Sequence, residues 1–233
     1  MTTTVLILPG AGLPDWLWDD VRARLTTTSV IAPRPVQPNA TVSDYARSAI
    51  DALPPGPFLV VAHSAGGVVA TELARLAPPA RMTGVVAVAA VIPATGGSFV
   101  SSLPFPQKIV LPAVLRVAGT RPPESAVRKG LAADVDEETT RRLVADLVPE
   151  PRTYFTSRVG SNEALRAATV RRYLVSANDA ELPPALQDRF AERLAPHQTI
   201  RLDDGHLPML TNPEAVAAAV SDALAPAPNT ATT

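Results

Sequence analysis

The stretch FLVVAHSAGGVVA, residues 58–70, decides the fold prediction. Its first residues form an uncharged apolar run, which predicts a buried strand, and the segment after Gly66 predicts a helix. Ser64 lies where strand passes into helix, with the small residues Ala62 and Gly66 two positions away on either side. This spacing is typical of a nucleophile elbow, a sharp turn that exposes a serine hydroxyl. The alternative is an ordinary strand-to-helix turn that contains a serine.

Short apolar runs alternate with helix-forming segments along most of the chain. We predict strands at Val5–Leu8, Val30–Ala32, Phe58–Ala62, Val85–Val91, Arg172–Ser176 and Thr199–Leu202. Helices are predicted from about Pro14 and at Thr41–Leu53, Gly66–Leu76, Pro184–Leu194 and Pro213–Leu224. Apolar strands separated by helices indicate a mostly parallel sheet with helices on both faces. The fold class is therefore α/β, and reactive groups are expected at the carboxyl ends of the strands.

Residues 93–165 interrupt this alternation, and we predict that they form a cap, or lid, over the site. The segment is rich in proline and contains a charged helix around 134–147. It is too short to bury a core of its own, so residues 1–92 and 166–225 form the core domain in this prediction, and 226–233 a disordered tail. The apolar cap residues imply a hydrophobic substrate; they are Phe99, Leu103, Phe105, Val110, Leu111, Val114 and Leu115.

Composition excludes several classes of protein. The 233 residues carry 21 basic and 22 acidic side chains, a balance that argues against a nucleic-acid partner. Cysteine is absent, which excludes disulfides and thiolate metal sites. No apolar stretch is long enough to cross a membrane, and no signal peptide is recognisable, so we expect a cytoplasmic protein. No metal, nucleotide or flavin site is apparent, so we expect no cofactor. The glycines of residues 9–12 lack the rest of a dinucleotide-binding pattern. The sequence leaves open whether the chain forms a homodimer.

A serine hydroxyl becomes a good nucleophile only when a base takes its proton, which directs attention to the histidines. His206 follows the last predicted strand in the sequence DDGHLP, residues 203–208, and is the candidate base. His63 adjoins the serine and would point away from its hydroxyl, so we expect it to be structural. His197 is predicted to lie in an exposed loop.

The base in turn needs an acid that fixes its tautomer. Asp179 comes directly after the preceding strand, which completes the order Ser64, Asp179, His206 along the chain. Glu181 is an alternative that requires a shifted loop. The aspartates of residues 203 and 204 are too close to the base in sequence to reach its ring easily.

These motifs, with Pro9-Gly10-Ala11 after the first strand, resemble the α/β-hydrolase superfamily, and within it the compact esterases similar to methylesterases and hydroxynitrile lyases. The resemblance implies a Ser64 nucleophile, a His206 base and an Asp179 acid. It also implies an oxyanion hole formed by the backbone N–H groups of Ala11 and Ala65. Many relatives have His-Gly where this chain has Pro9-Gly10, so the first loop departs from the family's pattern.

Four residues are predicted to line the substrate pocket. They are Trp16, Phe105, Leu111 and Leu207. Packing in the core is the alternative for the tryptophan, and also for Leu207, which follows the base.

The predicted function is hydrolysis of a carboxylic ester, thioester or lactone of a small hydrophobic substrate through an acyl-enzyme. An enzyme of specialised metabolism that uses the same residues for cyclisation or lyase chemistry is the alternative. Cyanohydrin cleavage is disfavoured, because hydroxynitrile lyases of this group carry threonine and lysine where this chain has Ala11 and Leu207. Epoxide or haloalkane hydrolysis would require an aspartate at Ser64. A pure binding module is disfavoured by the complete set of residues.

Overall fold

A parallel sheet of six strands organises the computed structural model, which describes residues 2–78 and 80–225. The spatial order is β2-β1-β3-β4-β5-β6, and every neighbouring pair is parallel. The strands are β1 (Thr4–Leu8), β2 (Ser29–Ile31), β3 (Phe58–His63), β4 (Met82–Val88), β5 (Val170–Ser176) and β6 (Gln198–Leu202). The predicted tail, residues 226–233, lies outside the described residues.

Helices cover both faces of the sheet, because successive strand residues point to opposite sides. Leu6 and Val60 contribute to one apolar core, and Val5 and Leu59 to the other. The helices outside the cap are α1 (Asp19–Arg24), α2 (Val42–Asp51), α3 (Gly66–Leu76), α10 (Pro184–Leu194), α11 (Pro208–Thr211) and α12 (Pro213–Leu224). Helices α2, α3 and α10 pack against the core that contains Leu6, whereas α1 and α12 cover the core that contains Val5. The α/β fold class is confirmed.

The connection between β4 and β5 is helical throughout much of its length. It contains α4 (Phe99–Ser102), α5 (Gln107–Val117), α6 (Glu124–Lys129), α7 (Glu137–Asp146), α8 (Arg152–Thr156) and α9 (Glu163–Arg166). Buried residues from this segment join both cores, among them Phe155 in one and Leu143 in the other. The segment therefore packs as part of the molecule, and we call residues 93–165 the cap.

Two local features match elementary helix rules. Thr41 caps α2 by accepting from the Asp44 amide, and the Asp44 carboxylate accepts from the Thr41 amide in return, which satisfies two free N–H groups. Asn212 caps α12, whose first residue is Pro213. In the described ranges, no helix combines the length and the apolar character that a membrane span requires.

Candidate active site

Ser64 occupies the turn between β3 and α3, at the carboxyl end of a central strand. Its backbone has a φ of 50°, in the left-handed region that side chains other than glycine rarely adopt. Gly66 is required two residues later, because a Cβ there would overlap the carbonyl oxygen of Leu8 and lie 2.8 Å from that of Pro9. The predicted sharp turn is therefore present, and it is closely packed against the loop after β1.

The side chains of Ser64, His206 and Asp179 form a continuous hydrogen-bonded chain. Ser64 Oγ lies 3.0 Å from His206 Nε2, and His206 Nδ1 lies 2.7 Å from Asp179 Oδ2. All three residues are buried, and His206 is fully shielded. Since the ionised carboxylate can only accept, Nδ1 donates to Asp179 and Nε2 is left to accept the serine proton. The structure thus brings together the three residues predicted from sequence, in a geometry suited to proton transfer from serine.

The Asp179 carboxylate is fixed by donors from its own loop and from α10. Oδ1 accepts from the amides of Glu181 and Leu182, each at 2.8 Å. Oδ2 also accepts from Gln187 Nε2 at 3.0 Å. Gln187 is fully buried; its Oε1 also accepts from the Ser176 main-chain N–H, and its Nε2 donates to the Ser176 main-chain oxygen. It therefore joins the end of β5 to the carboxylate, a role that was not predicted from sequence.

A signal for Gln187 exists in the helix pattern. Phe190, Ala191 and Leu194 follow it at the three-, four- and seven-residue spacings of a buried helix face, and all are buried. A glutamine at the first position of that stripe requires buried hydrogen-bond partners. Its partner could not be identified from spacing alone.

The ring of His63 binds the main chain of the candidate base. Its Nε2 lies 2.8 Å from the main-chain oxygen of His206, so Nε2 carries the proton and donates. Nδ1 has no hydrogen-bond partner among the described residues. Burial, with the neighbouring His206 as a smaller cause, lowers the pKa of His63 well below its usual value. His63 is therefore a neutral structural residue, as predicted, with a defined contact to the loop of the base.

Two backbone N–H groups beside Ser64 are free to bind a ligand. In the described part of the chain, neither the Ala65 amide nor the Ala11 amide donates to a protein acceptor. Both residues line the same cavity as Ser64, and Ala65 immediately precedes α3. Free amides next to a nucleophile can stabilise a developing oxyanion. The Pro9-Gly10 sequence thus leaves the loop close to the serine: a Cβ on Gly10 would lie 3.1 Å from the Ser64 Cβ.

A cavity of about 280 Å³ opens beside Ser64 and is roofed by the cap. Its cap residues are mainly apolar and include Phe99, Leu111, Val114, Leu115 and Val148. A groove of about 690 Å³ adjoins it and shares Leu111 and Leu182 as a wall. The space is suited to a small apolar group with an extension toward the groove.

Three of the four predicted pocket residues are placed elsewhere, and that part of the prediction is corrected. Trp16 is half-buried against the core that α1 and α12 cover, where its indole N–H donates to Asp146 and the Arg142 guanidinium lies over its ring. Phe105 is 75% exposed at the outside of the cap. Leu207 is fully buried in the core that α1 and α12 cover, and it does not line the cavity. Leu111 alone among the four lines the cavity.

Glu181 also faces the cavity, although Asp179 and not Glu181 contacts the base. Part of its surface is open to the cavity, yet the surrounding walls shield the carboxyl group enough to raise its pKa. The negative charge of Asp179 acts in the same direction as a smaller cause. The alternative in which Glu181 serves as the acid is therefore not the arrangement found.

Comparisons with known proteins agree with this architecture. The model of the alpha/beta hydrolase family matches residues 5–219. A solved extracellular alpha/beta-hydrolase from a Paenibacillus species superimposes with a TM-score of 0.82 at 18% identity, covering 95% of this chain and 98% of its own. Its published description states structural and functional homology to tobacco salicylic acid binding protein 2.

Two further solved structures are similar to the chain. A methylesterase from Arabidopsis has a TM-score of 0.72 at 19% identity, with 96% of this chain and 99% of its own covered. A pyrethroid hydrolase from Sphingobium faniae has a TM-score of 0.70 at 22% identity, with 97% and 99% covered. No curated protein matches the chain significantly. With the family match extending over most of its length, the chain belongs to the α/β-hydrolase family.

Proposed function

We propose that the protein is a serine hydrolase that cleaves the carboxylic ester, thioester or lactone bond of a small hydrophobic substrate. The observation that carries the proposal is the chain of contacts from Ser64 Oγ through His206 to Asp179, at 3.0 and 2.7 Å. The free amides of Ala11 and Ala65 beside the serine support it, because they are where an ester's carbonyl oxygen would need donors.

The proposed reaction has two halves. His206 Nε2 takes the proton of Ser64 as Oγ attacks the carbonyl carbon, and the carbonyl oxygen becomes an oxyanion that accepts from the Ala11 and Ala65 amides. Asp179 stays ionised and stabilises the imidazolium. His206 then returns the proton to the leaving alcohol or thiol, which leaves an acyl group on Ser64. A water molecule, deprotonated by His206, attacks the acyl carbonyl, and Ser64 leaves as the hydroxyl again.

The cavity supports a substrate with an apolar acyl or alcohol part. Its walls are mainly aliphatic and aromatic, and three charged side chains also line it: Arg121 and Glu150 from the cap, and Glu181 from the loop after β5. Structural neighbours described as a methylesterase and a pyrethroid hydrolase fit the same reaction class. The cytoplasmic location expected from the sequence stays a prediction, and the Paenibacillus neighbour is described as extracellular.

Hydrolysis of p-nitrophenyl esters from acetate to decanoate tests the proposal. We expect activity in the native chain and a fall in kcat of about 10⁴-fold or more in Ser64→Ala. Ser221→Ala, an exposed serine on α12, is the matched control and should keep full activity. Equal activity in Ser64→Ala would overturn the proposal. If no ester is cleaved, labelling of Ser64 by a fluorophosphonate decides whether the serine is activated; without labelling the proposal fails.

A further inference from the structure

The cap forms two hydrogen bonds with the loop that carries Ala11. The Gly12 N–H donates to Glu150 Oε1 at 3.0 Å, and the Val148 N–H donates to the Gly12 carbonyl oxygen at 3.0 Å. Both main-chain polar groups of the residue after Ala11 are therefore bound by the cap segment between α7 and α8.

Two residues of the core domain bind the Glu150 carboxylate in turn. It is only 5% exposed, and its Oε1 also accepts from Arg34 Nε at 3.0 Å. The Tyr45 hydroxyl donates to its other oxygen. Burial, and the bond to this carboxylate, raise the pKa of Tyr45, which keeps the hydroxyl protonated as a donor. A buried carboxylate with three donors is an anchor that cannot rotate without leaving one of them unpaired.

The loop has little freedom to take another shape. Gly12 has a φ of 69°, and a Cβ on it would overlap the carbonyl oxygen of Val148. The Leu13 N–H donates to the Gly10 oxygen at 3.2 Å, and Arg34 binds the Leu13 oxygen at 2.6 Å. The position of the Ala11 amide is therefore coupled to the place where the cap holds Gly12.

We propose that Glu150 is a positioning residue for the oxyanion loop: by binding the Gly12 amide from the cap, it keeps the free N–H of Ala11 directed at Ser64. The inference rests on the proposed function for its effect on the rate. It also assigns the cap a share in building the reaction centre, in addition to covering the cavity. Glu150 lines that cavity too, so recognition of a cationic substrate by its charge is the competing role.

Two substitutions separate position from charge. Glu150→Gln keeps the length of the side chain and an oxygen that can accept from Gly12, but removes the charge. Glu150→Asp keeps the charge and withdraws it by one methylene from the Gly12 amide. Positioning predicts that kcat falls more in Glu150→Asp than in Glu150→Gln, with KM nearly unchanged in both, because the contact acts on the transition state. The full loss of one oxyanion donor, about 10²–10³-fold, is the upper limit of the effect.

The proposal is overturned if the two variants lose kcat in the opposite order. A larger loss in Glu150→Gln, or a rise in KM with kcat unchanged, would indicate that the charge contacts substrate. Unchanged kcat in a folded Glu150→Asp would equally refute the positioning role. Glu138→Gln, an exposed glutamate of α7, is the matched control and should behave like the native chain.

Amide hydrogen exchange at Gly12 tests the contact without a substrate. We expect slow exchange in the native chain and Glu150→Gln, and fast exchange in Glu150→Asp. This readout separates the two proposals: inactivity of the native chain toward esters and fluorophosphonate would overturn the esterase function, whereas exchange at Gly12 that is unaffected by Glu150→Asp would overturn the role of Glu150. Both variants retain a polar group of similar size, and circular dichroism verifies their folding.

Discussion

His63 Nε2 donates to the main-chain oxygen of His206 across 2.8 Å, so the residue before the candidate nucleophile holds the backbone of the candidate base. The two rings also lie close, with centroids 4.8 Å apart. Through His63 the end of β3 is tied to the loop after β6, which lies beyond two intervening strands in the sheet. The serine and the base are thereby fixed to each other by a contact independent of their own hydrogen bond.

Replacing His63 by leucine should destabilise the fold and misplace the base. The variant leaves the buried oxygen of His206 without its donor, which costs about 1–3 kcal/mol of unfolding free energy. We expect this loss in urea unfolding at neutral pH, together with a lower kcat. His197→Leu is the control: His197 is exposed, and water can replace the one hydrogen bond that its ring accepts, from the Arg171 amide, so its effect should be small. Equal stability of the native chain and His63→Leu would show that the contact contributes nothing.

The same residue should make stability depend on pH. Because the folded protein holds His63 neutral with a pKa well below its ordinary value, the unfolded chain binds more protons as the pH falls through that ordinary value. The stabilisation is therefore complete above about pH 6.5 and is lost as the pH falls toward the folded pKa. We expect the native chain to lose more unfolding free energy than His63→Leu between pH 7.5 and 5. Parallel pH profiles of the two would contradict the shift.

Gln187→Leu tests the support of the candidate acid. The substitution removes the donor to Asp179 Oδ2 and leaves the buried Ser176 amide unpaired, with an expected cost of about 1–3 kcal/mol. Because Asp179 orients His206, kcat should fall as well. Thermal unfolding and ester hydrolysis measure the two effects. Asp188→Asn changes the next residue of the helix and removes only a surface ion pair with Arg201, so it should cost less than about 1 kcal/mol.

Sequence patterns predicted the core domain well, because hydrophobic periodicity reports burial. Helices α3, α10 and α12 have the predicted bounds. β4 was predicted at Val85–Val91 and is found at Met82–Val88, ending before Ala89 with a φ of 42°. The apolar run continues to Ile92 because that loop is buried too, and burial alone does not distinguish a strand from a buried loop.

The cap was predicted less completely. Only one helix was predicted there, around 134–147, whereas the segment contains six, and Pro112 lies inside one of them, α5. That helix has an exposed face, with Ile109 and Val117 on it, where water can satisfy the carbonyl that the proline leaves without a donor. The contact of Glu150 with Gly12 joins residues 138 apart in the chain, and no spacing rule connects them. Such long-range polar pairs depend on the assembled fold.

Gly66→Ala should disrupt the elbow. The added Cβ would overlap the Leu8 carbonyl oxygen, which is backbone and cannot rotate away. Overpacking of this kind costs about 1–3 kcal/mol or more, and it would separate the loop after β1 from Ser64. We expect a lower melting temperature and loss of ester hydrolysis. Gly160→Ala is the control, because its Cβ would meet only the flexible side chain of Arg75. An equally mild effect of both substitutions would argue against close packing at the elbow.

Leu111→Ala should shift the preferred length of the substrate. Leu111 forms part of the wall between the cavity beside Ser64 and the adjoining groove, so its truncation joins the two spaces. Each methylene that gains a buried place contributes up to about 0.8 kcal/mol, and the kcat/KM ratio of decanoate to butyrate ester should rise several-fold. Ile109→Ala, on the exposed face of the same helix, should leave the ratio unchanged. If Leu111→Ala also leaves the decanoate-to-butyrate ratio unchanged, the acyl chain does not lie beside Leu111, and the alcohol part of the substrate occupies that space instead.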